Sequence, residues 1–349
     1  MKKIIYAIIL SGLIIGCEKN DFELTENADE YFFLRNDGAD MPVWVRGNTL
    51  SKTFVLVLHG GPGSGAIGSE SEITSNITLT EKYAMVYWDQ RSSGISQGHY
   101  RNEEINADQY VEDLEKLIVL IKNKYGNDIS LFLYGGSWGG YLGFAYLVKD
   151  NNQENIKGWI DESGAHNFSL VGNAERRNLI KYANEFILKN INTDSWQEIL
   201  DWCNTHDTIA TSDNFVTINK YAIEATDLIT DSIAPIDNDQ QEILQLLLFG
   251  PLSSQQSSVN QVQIANSPLI KNILQLNLSS QLSKVTIPVL ITGGKYDLIV
   301  PNEVIYEAYN CVGSEDKEII IFNESGHAPS ATQPGEFSTA IINFIEKFR

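Results

Sequence analysis

A serine between glycines gives the first indication of chemistry in this sequence. Ser137 lies in a Gly-Gly-Ser-Trp-Gly segment, residues 135–139, with the spacing G-x-S-x-G. An apolar run precedes it at 131–134, and a segment of helical composition follows it at 141–149. Because a sharp strand-to-helix turn strains the backbone at the serine, side chains beside it would clash and glycine is favoured. The pattern predicts a strand, a turn that exposes the Ser137 hydroxyl and a helix, as expected for a nucleophilic serine.

A serine hydroxyl needs a base that removes its proton, and a carboxylate that orients the base. The acid and the histidine are expected to follow the serine in that order. Of the five histidines, only His327 follows the last predicted strand. Asp297 follows the predicted strand 288–292, so we predict Asp297 as the acid and His327 as the base. Asp161 and Glu162, which follow the preceding predicted strand, are the alternative acids.

Backbone donors must also stabilise the oxyanion that forms when an acyl carbon is attacked. The N–H of Trp138, directly after the nucleophile, is one expected donor. We expect the second from the His-Gly-Gly-Pro-Gly loop at 59–63, and Gly61 is the predicted residue. A phosphate-binding role for this loop is disfavoured because no P-loop lysine and serine follow it. These residues together predict hydrolysis of amides or esters.

Alternating strands and helices would position these groups. Two short strands, 31–35 and 43–46, flank an Asn-Asp-Gly turn at 36–38. The other predicted strands are 54–58, 83–88, 131–134, 156–160, 288–292 and 318–322. Apolar periodicity predicts helices at 107–124, ending near Gly126, and at 337–348. The pattern predicts the α/β class, with a mostly parallel central sheet and helices on both faces.

The segment 167–282 differs from the rest because it shows helical patterns and no clear buried strand. Predicted helices at 174–189, 195–204 and 240–248 indicate an inserted helical cap. We therefore predict a core formed by 30–166 and 283–349, with the cap above the carboxyl ends of the strands.

The first 17 residues have the character of an export signal. Lys2 and Lys3 precede an apolar run, 4–15, that is short for a membrane span. The run ends Gly16-Cys17, which resembles a bacterial lipobox, so Cys17 is the predicted acylated residue and 18–29 a tether. A plain cleaved signal is the alternative. The prediction is a lipid-anchored protein of the bacterial cell envelope, attached to the membrane through the lipid.

Composition excludes some partners and cofactors. The 349 residues carry a net charge of −20, which argues against nucleic acid as a partner because phosphates require basic residues. Besides Cys17, the chain has Cys203 and Cys311, predicted to be unpaired buried thiols. They lack the spacing of zinc ligands, and no metal or organic cofactor is implied.

Taken together, the motifs resemble those of the proline iminopeptidases, a family of α/β-hydrolases. The matching segments are His-Gly-Gly-Pro-Gly at 59–63, Trp-Asp-Gln-Arg at 88–91, Gly-Gly-Ser-Trp-Gly at 135–139, Gly-Lys-Tyr-Asp at 294–297 and Ser-Gly-His at 325–327. The resemblance covers the core, 54–164 and 288–349. It implies Ser137 as nucleophile, Asp297 as acid and His327 as base, under a helical cap. It also implies removal of an N-terminal residue, usually proline, from peptides.

The sequence departs from that family in the core and in the cap. Ser92 stands where the family has glycine, and Gly140 where it has serine. The family holds the free amine of its substrate with cap glutamates, and Glu224 is a partial match to one such segment. Glu175 and Glu185 are further candidates.

Three functions follow from these observations. The first is an exported serine hydrolase with a Ser-His-Asp triad that acts on small amides or short peptides as an aminopeptidase. A carboxylesterase or lactonase of the same fold is the second. The third is a surface lipoprotein that binds a ligand without catalysis.

Overall fold

The computed structural model describes residues 23–67, 77–233 and 254–349. The predicted export signal, Cys17, residues 18–22 of the tether and the predicted helix 240–248 lie outside the described residues. Within the described ranges, no helix combines the length and apolar character required to cross a bilayer.

Within the described residues, nine strands form one sheet. They are Ala28–Asn36 (β1), Ala39–Gly47 (β2), Thr53–Leu58 (β3), Ala84–Trp88 (β4), Gln97–Gly98 (β5), Ser130–Gly136 (β6), Gly158–Glu162 (β7), Val289–Gly294 (β8) and Lys317–Phe322 (β9). The order across the sheet is β1-β2-β4-β3-β6-β7-β8-β9, and the short β5 pairs with β2. The strand β2 pairs antiparallel with β1, β4 and β5. The other pairs, β4–β3, β3–β6, β6–β7, β7–β8 and β8–β9, are parallel. The predicted mostly parallel sheet is confirmed.

The β1–β2 hairpin turns at Asp37 and Gly38, which both have positive φ, +40° and +77°. Two consecutive residues with positive φ form a turn whose twist matches that of the flanking strands. A side chain at Gly38 would overlap the backbone carbonyl of His99, so glycine is required there. The predicted turn at 36–38 is confirmed.

Helices cover both faces of the sheet. In chain order they are Ile77–Lys82 (α1), Ala107–Tyr125 (α2), Trp138–Leu147 (α3), Phe168–Leu188 (α4), Thr193–Thr205 (α5), Ser212–Ile233 (α6), Ser254–Ala265 (α7), Pro268–Lys271 (α8), Asn302–Cys311 (α9), Pro329–Thr332 (α10) and Pro334–Phe348 (α11). On β3, Phe54 and Leu56 pack into one apolar core with α2, whereas Val55 packs into a second core with α11. All residues of β3 are buried, as expected for a strand that is covered on both faces.

The described part of 167–282 contains α4 to α8 and contributes no strand to the sheet. The helices α6 and α7 were not predicted. Thr226 on α6 accepts a hydrogen bond from the N–H of Leu298, in the loop after β8. Asn260 on α7 donates to carbonyls of the loop after β4. These helices therefore contact loops at the carboxyl ends of the parallel strands.

The two cysteines in the described residues are both free. Cys203 is buried in the apolar core, as predicted. Cys311 is only partly buried, because it is the last residue of α9, so the predicted full burial of its thiol was wrong.

Candidate active site

Ser137 lies between β6 and α3 in a strained backbone conformation. Its φ and ψ are +55° and −116°, a combination that costs free energy in a residue with a side chain. A Cβ at Gly139 would overlap the carbonyl oxygen of Leu58, and one at Gly135 would lie 2.5 Å from the Trp159 ring. The two glycines therefore let the turn pack against β3 and β7, and the predicted strand, turn and helix are present.

Asp297 and His327 are joined by a hydrogen bond. His327 Nδ1 lies 2.9 Å from Asp297 Oδ2. The other carboxylate oxygen, Oδ1, accepts the backbone N–H groups of Ile299 and Val300, both at 2.9 Å. Because an ionised carboxylate only accepts, this contact places the proton on Nδ1 and leaves Nε2 free to take a proton. Within the described residues, no hydrogen bond joins Nε2 to the Ser137 hydroxyl; such contacts are often longer without substrate.

The pKa of His327 results from opposing effects. Burial alone lowers its pKa, because desolvation disfavours the imidazolium, but the Asp297 carboxylate and the charge of Glu162 raise it. The net result is a pKa above the ordinary value for histidine. Both carboxylates therefore favour the protonated imidazole that a general base becomes during the reaction.

The alternative acids lie elsewhere. Asp161 is buried against Gly140 and Gly164, and neither of its carboxylate oxygens has a hydrogen-bond partner among the described residues. Burial and then the charge of Glu162 raise its pKa well above the usual range, which favours the protonated form. Glu162 accepts hydrogen bonds from Tyr134 and from the N–H of Ser330. His327 Nδ1 donates its hydrogen bond to Asp297 and not to either of these residues.

The glycine loop passes beside Ser137. A Cβ at Gly60 would lie 3.3 Å from the Cβ of Ser137 and 3.9 Å from its Oγ. Gly61 has a φ of +111°, which favours glycine. Within the described part of the chain, the backbone N–H groups of Gly61 and Trp138 make no hydrogen bond to protein. Both predicted oxyanion donors are therefore available to a ligand.

Gln90 connects this loop to the turn that carries Ser137. Its backbone N–H donates to His59 Nε2 at 3.2 Å, and its side-chain amide donates to the carbonyl of His59 at 3.2 Å. The indole N–H of Trp138 donates to Gln90 Oε1 at 3.0 Å. Burial lowers the pKa of His59 to about 4, so its imidazole is neutral and donates from Nδ1 to the Gly60 carbonyl.

The neighbours of Gln90 fix the same region. Asp89 accepts three backbone N–H groups, from Ala66, Ile67 and Ile95, at 2.7 to 3.0 Å. Arg91 forms a fully buried ion pair with Asp113 on α2, at 2.8 Å. Sequence reasoning missed these roles, although three consecutive polar residues directly after a buried strand are a usable signal.

Comparison with known proteins agrees with this geometry. Residues 51–207 match the family model for serine aminopeptidases, S33. The chain is 25% identical to a proline iminopeptidase of Thermoplasma volcanium over 299 residues, covering 85% of this chain and 90% of the relative. A solved proline iminopeptidase structure from Mycobacterium smegmatis superposes with a TM-score of 0.63 at 15% identity, covering 91% and 98% of the two chains. An esterase from Exiguobacterium antarcticum superposes with a TM-score of 0.55 at 17% identity, covering 91% and 100%.

The chain is an α/β-hydrolase that is similar to the proline iminopeptidases. The resemblance inferred from its motifs and the predicted fold class are confirmed, and the family and its relatives indicate a serine hydrolase. The esterase shares the fold with this hydrolase, so the fold alone does not select the bond that is cleaved.

In this hydrolase, the three candidate cap glutamates differ in exposure and in their partners. Glu224 is exposed. It lies two residues from Thr226, which contacts the loop of Asp297, and two residues are about 200° apart around a helix. Glu185 is also exposed and pairs with Lys189 at 2.6 Å. Glu224 therefore lies on a different side of α6 from Thr226, and Glu185 already has a cation as its partner.

Among the candidate cap glutamates, Glu175 on α4 is the one that interacts with the charge of Asp297. It is fully buried, and its Oε1 accepts the amide of Asn219 at 2.8 Å. Its Oε2 has no hydrogen-bond partner among the described residues. Burial raises its pKa well above the usual range, and the negative charge of Asp297 raises it further. A cation placed beside Oε2 would favour the ionised form.

Two of the cavities formed by the described residues bear on the position of the site. One of about 420 Å³ lies between α4 and the loop after β8, with Asp297, Tyr182 and Lys295 among its lining residues. The other, of about 1000 Å³, lies between β9 and α11 and contains none of the candidate site residues. Size therefore does not identify the site here, and the smaller cavity is the one that adjoins the predicted acid.

Proposed function

We propose that this hydrolase cleaves small amide or short peptide substrates as an aminopeptidase, with Ser137, His327 and Asp297 as a catalytic triad. The hydrogen bond between Asp297 and His327, in loops at the same sheet edge as the strained Ser137 turn, supports this assignment most directly. A ligand-binding protein without catalysis gains nothing from a strained serine with an oriented imidazole.

The chemistry follows from these positions. Ser137 Oγ attacks the substrate carbonyl carbon while His327 Nε2 takes its proton, and Asp297 stabilises the imidazolium. The N–H groups of Gly61 and Trp138 bind the oxyanion of the tetrahedral intermediate. His327 then gives its proton to the leaving group, and water repeats the sequence on the acyl-enzyme.

Glu175 supports an amine-binding site within this proposal. An unpartnered buried carboxylate oxygen close to Asp297 fits the ammonium group of a substrate with a free N-terminus. Pairing offsets the cost of burying either charge alone. Glu175 thus replaces Glu224 as the first candidate, while the role predicted for Glu224 stays a prediction.

An esterase or lactonase is the second candidate. Burial raises the pKa of Glu175, which favours its neutral, protonated form when no cation is bound. A neutral acid suits an ester that carries no charge.

A substrate panel tests the two candidates. Proline, alanine and other aminoacyl p-nitroanilides are compared with the same compounds acetylated at the amine and with short-chain p-nitrophenyl esters. The aminopeptidase predicts kcat/KM values that depend on the free amine, whereas preference for neutral esters supports the esterase. Turnover that survives in Ser137→Ala would contradict both candidates.

Export and lipid attachment at Cys17 form a separate part of the proposal. The basic residues, the apolar run and the Gly16-Cys17 pair support it. Expression in a bacterial host with labelled fatty acid tests it, because acylation is expected in the wild type and absent in Cys17→Ser. Two or more acyl chains would be needed for stable residence in the membrane. An unlabelled wild-type protein would instead support a plain cleaved signal.

A further inference from the structure

Glu162, the last residue of β7, lies directly beside the turn that carries Ser137. Its backbone carbonyl accepts the N–H of Ser137 at 3.1 Å. A Cβ at Gly136 would lie 3.6 Å from that carbonyl oxygen and 3.9 Å from Glu162 Oε2. Both the backbone and the side chain of Glu162 therefore border the nucleophile.

The side chain of Glu162 is buried and holds the segment that follows His327. Its Oε1 accepts the backbone N–H of Ser330 at 2.7 Å, and its Oε2 accepts the hydroxyl of Tyr134. Ser330 lies in α10, three residues after His327. One residue thus contacts the nucleophile turn through its backbone and the histidine loop through its carboxylate.

We propose that Glu162 is a positioning residue. It holds the Ser137 turn and the His327 loop in place relative to each other, and it supplies a second negative charge near the imidazole of His327. This role rests on the proposed function of Ser137 and His327. It differs from that of Asp297, which bonds to His327 Nδ1 directly, because Glu162 acts through the backbone of the loop and through its field. Glu162 neither touches the substrate nor exchanges a proton in the reaction.

The charges around the imidazole support this role. The pKa of Glu162 is raised on balance, because burial raises it and the hydrogen bonds from Tyr134 and Ser330 and the charge of His327 offset only part of that effect. In return, the charge of Glu162 raises the pKa of His327. The other titratable groups that face this cluster are Tyr87 on β4, Tyr134 on β6, Asp161 on β7, Glu175 on α4 and Asp297 after β8.

Three of those groups are shifted towards their uncharged forms. Burial raises the pKa of Tyr134, Asp161 and Glu175 well above their usual values, which favours the protonated form of each. The charge of Glu162 is therefore not duplicated by these three neighbours. When Ser137 Oγ bonds to the carbonyl carbon and its proton moves to His327 Nε2, the imidazolium that forms is stabilised by Asp297 and by Glu162.

Two substitutions separate the charge from the hydrogen bond. Glu162→Gln keeps an oxygen that can accept the Ser330 N–H but removes the charge. Glu162→Leu removes both and leaves a buried N–H unpaired. Asp161→Asn is the matched control, since Asp161 is buried on the same strand but protonated and turned towards Gly140 and Gly164.

The measurement is the rate of Ser137 labelling by a fluorophosphonate as a function of pH, which needs no knowledge of the substrate. Labelling requires neutral His327, so the rate falls as pH decreases through the pKa of His327. Without the charge of Glu162 that pKa is lower, so the acid limb moves to lower pH. The rates are compared at a pH where wild-type labelling has fallen below its high-pH plateau. There, the rate for Glu162→Gln, taken as a fraction of that variant's own plateau, should be roughly two- to fivefold higher than the wild-type fraction. Its plateau should stay within about threefold of wild type, and that of Glu162→Leu should fall roughly 10- to 100-fold.

Circular dichroism and thermal unfolding establish that each variant is folded. An acid limb that Glu162→Gln leaves in place, or one that Asp161→Asn moves equally, would overturn the role of the charge. If Glu162→Leu is labelled at high pH as fast as the wild type, the positioning role is overturned. If Glu162→Leu does not fold, the position of the acid limb in Glu162→Gln decides. If Ser137→Ala is still labelled at the wild-type rate, the proposed function itself is contradicted, and with it the reaction in which Glu162 would act.

Discussion

The residues that follow β4 in the core and Glu175 in the cap differ in how fully their buried polar atoms are hydrogen-bonded. In the core, Asp89, Gln90 and Arg91 each bond to separate partners, and the buried Arg91 charge is paired with Asp113. In the cap, Glu175 is fully buried with one oxygen unpartnered among the described residues. A satisfied network rigidifies its surroundings, whereas an unsatisfied buried carboxyl can still accept a hydrogen bond or a cation from a ligand. The contrast fits the proposal that the reaction takes place in the core and that the cap selects the substrate.

Removing the acid of the core should have the largest effect. Asp297→Asn replaces the acceptor at His327 Nδ1 with an amide and favours the wrong tautomer, so kcat should fall roughly 10⁴-fold. Asp161→Asn, at a protonated carboxyl that does not contact His327, should retain activity. Steady-state kinetics on the best substrate of the panel measures both. A silent Asp297→Asn together with an inactive Asp161→Asn would show that Asp161, on β7, is the acid.

Breaking the buried ion pair of the core should lower the stability more than breaking an exposed ion pair of the cap. Arg91→Met leaves the buried Asp113 carboxylate without its cation, which should lower the free energy of unfolding by about 3–5 kcal/mol. Lys189→Met removes one partner of the exposed pair with Glu185 on α4 and should change it by no more than about 0.5 kcal/mol. Urea unfolding at neutral pH compares the two variants. Equal losses would mean that burial of the Arg91 pair does not distinguish the two regions.

The cap prediction concerns the free amine of the substrate. Glu175→Gln should lower kcat/KM for free-amine substrates by roughly one to three orders of magnitude, because the ammonium loses its counter-charge. Neutral esters should be nearly unaffected. Glu185→Gln, on the same helix but exposed, is the matched control and should behave as wild type. If Glu175→Gln affects both substrate classes equally, the amine-binding role fails and the esterase becomes the better interpretation.

The same contrast explains what the sequence could predict. Continuous apolar runs such as that of β3 identify strands that are buried on both faces, and the order Ser137, Asp297, His327 follows from the strands they terminate. In the cap, helical periodicity does not tell which polar residue faces inward, because that depends on the elements packed against the helix. Glu224 was therefore ranked above Glu175 by local similarity, although its side chain is exposed.

Contacts between distant segments were also beyond the sequence. Gln90 bonds to His59 and Trp138, which lie 31 and 48 residues away, and no local pattern indicates such pairs. Glu162 was considered only as an alternative acid, because its bond to the N–H of Ser330 arises from a separation of 168 residues. Local propensity thus recovers the elements, and tertiary packing decides which polar groups meet.

Ser92, where core and cap meet, leads to the prediction with the smallest effect. It has a φ of +52°, and its hydroxyl lies 2.8 Å from Gln263 Oε1 on α7 and 2.8 Å from the hydroxyl of Tyr100. Glycine, which the proline iminopeptidases carry there, would relieve backbone strain worth about 1 kcal/mol. It would also lose hydrogen bonds worth about 0.5–1.5 kcal/mol each.

These opposing terms leave the net change in unfolding free energy of Ser92→Gly within about 1 kcal/mol of zero. Ser92→Ala keeps the strain, loses the hydroxyl and should be less stable than Ser92→Gly by about 1 kcal/mol. Urea unfolding of both variants measures the difference. A Ser92→Gly protein that is destabilised as much as Ser92→Ala would mean that the positive φ is not strained, and that the hydroxyl contact with α7 alone accounts for serine at this junction.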